Sequence, residues 1–246
     1  MDFRAREARR RGTPTKTLRR YYQRLIKELG PQGWWPARTR LEIVLGAILT
    51  QNTTWHNAAL ALAKLRKAGL LRLARLREAS LASLESSIRP AGFYRQKARA
   101  IQNLLHWLDG THGGSLTSAF ARPIDELRHQ LLAINGVGPE TADAILLYAG
   151  RRPIFVADAY TRRVLGRHEL VAPAASYSTV QQFLHAHLPA DHALFNEFHA
   201  LLVSVGKSFC KRQVANCEGC PLEALLPRPW EGQAETSRLN HGLRNP

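Results

Sequence analysis

Leu131-Leu-Ala-Ile-Asn-Gly-Val-Gly-Pro-Glu-Thr-Ala-Asp-Ala-Ile-Leu146 sets two apolar helical patterns on either side of a short turn, and that junction decides the fold. Asn135-Gly136-Val137-Gly138 supplies two glycines, which let the backbone turn tightly. Pro139 suits the first position of the second helix, where its missing N–H would have had no partner. The pattern predicts two helices joined by a hairpin, with backbone N–H groups directed out of the second helix's N-terminus. Amides so placed bind anions without side-chain specificity, helped by the helix dipole. A plain packing turn is the alternative, and Gly-x-Gly alone would not decide between them. The whole string is far more specific.

Outward from this stretch, helical spacing of apolar residues continues almost throughout the 246 residues. Helices are expected over about 15–29, 41–49, 58–68, 80–88, 94–108, 124–133, 139–149, 159–166, 177–187 and 191–206. Alternation at strand period and internal repeats are missing, so the expected class is all-α. A composition of 45% hydrophobic and 22% charged residues is globular. No window approaches the run of about 18 apolar residues that a membrane span needs. The basic N-terminus lacks the apolar region of a signal peptide, so a cytoplasmic, nucleoid-associated protein is expected. Three cysteines, an odd number, argue against a disulfide framework. Lys+Arg number 35 against 19 Asp+Glu, a net charge of +16 that favours a polyanionic partner, nucleic acid first. A solubility device or a ribosome-associated protein would carry such charge too. Ten of the basic residues fall in the first thirty positions. Residues 1–15 read as a basic flexible arm and residues 227–246 as a loose tail.

After Gly150-Arg-Arg-Pro153 the chain continues Ile154-Phe-Val-Ala-Asp-Ala-Tyr-Thr-Arg-Arg163. Together with the hairpin string, this resembles the helix-hairpin-helix (HhH-GPD) DNA glycosylases, the superfamily of endonuclease III. The resemblance puts the family's catalytic aspartate at Asp158 and its DNA-backbone contacts at Gly136, Val137, Gly138 and Thr141. The chemistry is consistent: cleaving an N-glycosidic bond builds positive charge on the sugar, which a fixed carboxylate stabilises while orienting water. Asp158 would serve equally as an ordinary N-cap for Ala159-Tyr-Thr-Arg; the hairpin upstream favours catalysis. Family members that also cut the backbone carry a nucleophilic lysine two residues after the second hairpin glycine. Here that position is Glu140, and a carboxylate cannot form a Schiff base. The nearest other amines are Lys97 and Lys207. The chain thus resembles the monofunctional members.

Gly33-Trp-Trp-Pro36, Gly46-Ala-Ile-Leu-Thr-Gln-Asn-Thr53, Ala91-Gly-Phe-Tyr-Arg-Gln-Lys-Ala98 and Ala142-Asp-Ala-Ile-Leu-Leu-Tyr-Ala149 are together similar to the 3-methyladenine DNA glycosylase III branch. By that resemblance Trp34, Trp35, Pro36 and Trp55 line a pocket that sandwiches the flipped base, and Gln51 fills the gap it leaves. N-alkylated purines are cationic, which suits electron-rich indole faces and makes the base a good leaving group. Buried core tryptophans and a helix-capping amide are the plainer readings.

Cys210-x6-Cys217-x2-Cys220 reproduces the first three ligands of the endonuclease III iron–sulfur loop, with Leu226 where the fourth would stand. A [4Fe–4S] cluster with a non-cysteine fourth ligand, a [3Fe–4S] form, zinc completed by a histidine, and an empty relic all stay open.

The resemblance spans about residues 20–226. It implies two helical lobes: a helical barrel lobe, 42–150, inserted in a second lobe made of 16–41 and 151–226. The expected protein is a monomeric, monofunctional glycosylase acting on damaged duplex DNA, with the DNA cleft between the lobes. The alternatives are an endonuclease III-type glycosylase/lyase on oxidised pyrimidines and a non-catalytic DNA-binding module.

Overall fold

The computed structural model describes residues 13–227. The expected arm and tail therefore lie outside the described residues, except for positions 13–15 and 227. Positions 14 and 15 are already helical, because the first helix, Pro14–Leu29, begins at Pro14. Thr13 caps it, its hydroxyl accepting from the Lys16 N–H.

The described residues are helical throughout, apart from turns, extended connections and one isolated bridge, Cys210 to Ala215. Helices follow at Arg40–Leu49, Trp55–Lys67, Leu73–Glu78, Leu81–Ile88, Tyr94–His112, Leu116–Phe120, Ile124–Leu132, Pro139–Ala144, Ala159–Arg167, Tyr177–His187 and His192–Ser208. Their starts are written in the sequence. Thr39, Thr54, Ser80, Ser115, Asp158 and Ser176 each accept from the amide three residues on, a cap worth about 1 kcal/mol. None of the helices is long and apolar enough to cross a membrane.

Three departures from the expected pattern have local causes. Leu73–Glu78 and Leu116–Phe120 are too short to display a helical period. Tyr94–His112 runs past the expected stop at 108: Gly110 stays helical, and the left-handed Gly113 ends the helix. The expected helix 139–149 is α-helical only to Ala144 and continues as a π-helical turn, Ile145–Ala149.

Two compact units divide the chain. One joins Gly33–Val156 to Ala190–Glu197; the other joins, among the described residues, 13–32, Ala157–Pro189 and 198–227. The resemblance implies a division at 41/42 and 150/151; Trp34, Trp35 and Pro36 lie in the hairpin's unit. In that unit Val44, Leu45, Ile48, Leu65, Ile101, Leu127 and Leu146 are buried; in the other, Leu18, Leu25, Val164, Leu184, Phe198 and Leu201. Full burial of each such side chain contributes roughly 1.5–3 kcal/mol.

Candidate active site

The hairpin is a tight, well-tied turn. Gly136 has φ of 96°, a region that L side chains avoid, and an added Cβ would lie 2.6 Å from Cβ of Ala100. Asn103 donates to the Asn135 carbonyl at 3.0 Å. Arg128 makes a two-pronged ion pair with the fully buried Asp143, at 2.7 and 3.1 Å. Gly138 is the N-cap of Pro139–Ala144 and brings no side chain to the first-turn amides. Val137 is buried, its amide donating to Ile134. Thr141 is buried as well, and its hydroxyl accepts from Gln51 at 2.8 Å. Gln51 also donates to the Gly136 carbonyl at 2.9 Å. Without DNA, then, the residue expected to fill the flip gap rests on the hairpin.

Trp34, Trp35 and Trp55 come together in the same unit, half-buried, with Pro36 exposed beside them. Trp34 meets Trp35 and Trp55 at ring-centroid distances of 5.2 and 4.8 Å, and Trp35 meets Trp55 at 5.2 Å. The contacts are tilted or edge-to-face, so no parallel pair stands open to receive a base; a stacked base would lie against an outer indole face. Tyr148, from the π-helical turn, adds a fourth ring at 5.1 Å from Trp35. Gly46 makes room for this arrangement, since a Cβ there would come within 2.9 Å of the Trp35 ring. Sequence reasoning missed both Tyr148 and Gly46, although each lies in a string that it singled out.

Asp158 belongs to the other unit. The buried run Ile154–Ala157 leads to it at the N-cap of Ala159–Arg167. Its Oδ1 accepts from the Thr161 N–H at 2.8 Å, while Oδ2 faces Nε2 of His199 at 3.6 Å. The capping role is therefore real, and it leaves the second oxygen for other work. Burial alone would push this carboxyl up; the charge and contact of His199, with the Thr161 N–H, outweigh burial and hold it below the usual carboxylate range. The histidine is itself 7% exposed. No spacing rule points to it: a lone histidine in the run Phe198-His-Ala-Leu-Leu202 reads as core.

Glu140 is exposed in the first turn of its helix. Lys97 is only 2% exposed, and its Nζ donates to the carbonyls of Leu49 and Ala91 at 2.9 and 2.7 Å. Burial brings its pKa down to about 8. What it does is tie the segment before Gln51 to the loop of Phe93, a residue 61% exposed in a left-handed conformation, also missed from sequence.

The cysteine loop lies in the unit of Asp158. Cys210, Cys217 and Cys220 line one cavity with Arg167, Glu223 and Leu226. Arg167 donates to Cys210 Sγ at 3.1 Å and to the carbonyls of Lys211 and Arg212 at 2.7 and 3.1 Å. Arg163 donates to the carbonyls of Cys210 and Gly206 at 2.6 and 3.1 Å. His168, which also lines the cavity, is hydrogen-bonded through Nδ1 to the Tyr21 hydroxyl at 2.7 Å; burial brings its pKa to about 4. Burial and the neighbouring thiols push the thiols of Cys217 and Cys220 up. Among the described residues no three Cys, His, Asp or Glu side chains are arranged to hold a metal ion. With Leu226 in the fourth position, this donor set does not fit a cluster held by four thiolates.

Among the described residues, a helical fold with a glycine hairpin and a buried carboxylate at a helix start agrees with the expected resemblance. Residues 45–190 match the profile of the HhH-GPD superfamily base excision DNA repair proteins, and the chain belongs to that family. It is 41% identical over 205 residues to a protein of Methanocaldococcus jannaschii named, provisionally, as a DNA repair glycosylase, an alignment covering 82% of this chain and 92% of that one. A non-covalent endonuclease III–DNA complex shares the fold with a TM-score of 0.70 at 25% identity, covering 86% of this chain and 94% of that one. The H. pylori 3-methyladenine DNA glycosylase bound to 1,N6-ethenoadenine matches with a TM-score of 0.68 at 26% identity, covering 79% and 97%.

Proposed function

We propose that this chain is a monofunctional DNA glycosylase that hydrolyses the N-glycosidic bond of alkylated purines in duplex DNA. The observation that carries the proposal is Asp158. It is buried, held by one oxygen on the Thr161 N–H, and kept ionised against its own burial. Such a carboxylate suits a reaction whose transition state gathers positive charge on the sugar. The choice of base is supported by the cluster of Trp34, Trp35, Trp55 and Tyr148, whose ring faces attract a cationic purine. Positive charge and the hairpin amides hold the phosphates in a salt-dependent, sequence-independent way. Gln51 moves from the hairpin into the gap left by the flipped base. The reaction draws no step from the cysteine loop.

Two features support the absence of strand cleavage: a carboxylate at Glu140 and the buried amine of Lys97. The endonuclease III likeness and the cysteine loop favour the other reading, a glycosylase/lyase on oxidised pyrimidines. A panel of methylated and oxidised duplexes, with borohydride trapping, separates the two. Release of methylated purine without a trapped adduct is expected, and a covalent adduct with abasic DNA would sink the monofunctional reading. Asp158→Asn should lower release by about 10²–10³-fold, while a smaller or absent loss would remove Asp158 from the chemistry.

A further inference from the structure

We propose that His199 is the positioning residue of the reaction: it fixes the free oxygen of Asp158 and supplies the positive charge that lets this carboxylate act inside the protein. The inference rests on the reading of Asp158 as the catalytic carboxylate. Its basis is geometric. Thr161 holds Oδ1, so the remaining freedom of the carboxylate is rotation of Oδ2, and the Nε2 of His199 stands 3.6 Å from that atom. This separation is longer than a good hydrogen bond, so charge rather than a shared proton dominates the contact.

The two helices that carry the pair are locked in register. Gly206, two turns beyond His199, lets the Tyr160 ring approach so closely that a Cβ would lie 2.5 Å from it. Arg163 donates to the Gly206 carbonyl and stacks its guanidinium over Tyr160 at 5.1 Å. His199 is thereby held opposite Asp158 by contacts in which neither residue takes part. The other ionisable side chains on these elements are Tyr160, Arg162, Arg163 and Arg167 on the aspartate's helix, His192, Glu197 and Lys207 on the histidine's, and Tyr22 on Pro14–Leu29 against Phe198.

The sign of the effect follows. With His199 removed, burial acts on Asp158 unopposed, and its protonation moves to higher pH. His199→Gln keeps a polar side chain and loses the charge. In base release from methylated duplex, kcat of this variant should fall about tenfold or more at pH 6 and recover by about pH 9, with KM nearly unchanged. His199→Lys should restore much of the pH 6 rate. A merely structural histidine would give a pH-independent loss that follows melting temperature. Superimposable pH profiles for wild type and His199→Gln, or a loss in KM alone, overturn the proposal. Full activity in Asp158→Asn would instead overturn the catalytic reading beneath it. Should neither variant fold, wild type decides: after correction for spontaneous depurination, kcat should hold down to about pH 5, and a fall beginning above about pH 6 counts against the proposal.

Discussion

The hairpin and the cysteine loop are both motif-bearing turns, and they are held in opposite ways. The hairpin keeps every part of its motif and is tied by side chains from several directions: Gln51, Asn103, and the Arg128–Asp143 pair. The cysteine loop has Leu226 where a fourth thiolate would stand, and its Cys210–Arg212 stretch is held by side chains of one helix, Arg163 and Arg167. The difference lies in where each motif keeps its function. A hairpin works through backbone conformation, so its glycines have no substitute. A ligand loop works through closure, and guanidinium bonds to its carbonyls close it too.

The largest expected effect breaks the hairpin. Gly136→Ala puts a side chain at φ of 96° and within 2.6 Å of Ala100 Cβ. Strain and overpacking together should cost about 2–4 kcal/mol, read by chemical denaturation. A loss under about 1 kcal/mol would mean that the turn adapts, and the contrast with the loop would fail. Next comes Arg167→Ala, which removes three hydrogen bonds from the loop. Part of that guanidinium is solvated, so the cost should be about 1–2 kcal/mol. Trypsin should cut faster after Lys211 and Arg212; an unchanged rate would place the closure of the loop elsewhere.

The same contrast explains what could be read in advance. The hairpin was legible because Gly-x-Gly-Pro states its conformation within a few residues. Asp158 was legible as a cap from the string that follows it and, through the hairpin upstream and the family resemblance, as a catalytic candidate. The tryptophans were legible as a group, but their edge-to-face packing was not, because ring orientation depends on Gly46 and on the π-helical turn that places Tyr148. His199 was hidden for a different reason: its partner lies forty-one residues upstream, and an isolated histidine among leucines carries no local signal. Helix lengths failed where a glycine was tolerated, as at Gly110, since only tertiary packing decides whether a glycine ends a helix.

The smallest expected effect sharpens the loop's side of the comparison. If arginine bonds close the loop, treating the protein with reductant and an iron or zinc chelator should shift its melting temperature by no more than about 1 °C. The magnitudes make this decisive. A structural metal held by thiolates contributes on the order of 10 kcal/mol to folding, and its removal would lower the melting temperature by tens of degrees or unfold the loop outright. Protein hydrogen bonds to the carbonyls of Cys210, Lys211 and Arg212 survive chelation untouched. A large shift would show that three thiolates hold a metal despite Leu226 and that Arg163 and Arg167 only decorate the site. A flat response in wild type, with a drop in Arg167→Ala, would show that protein contacts have taken over the closing of this loop.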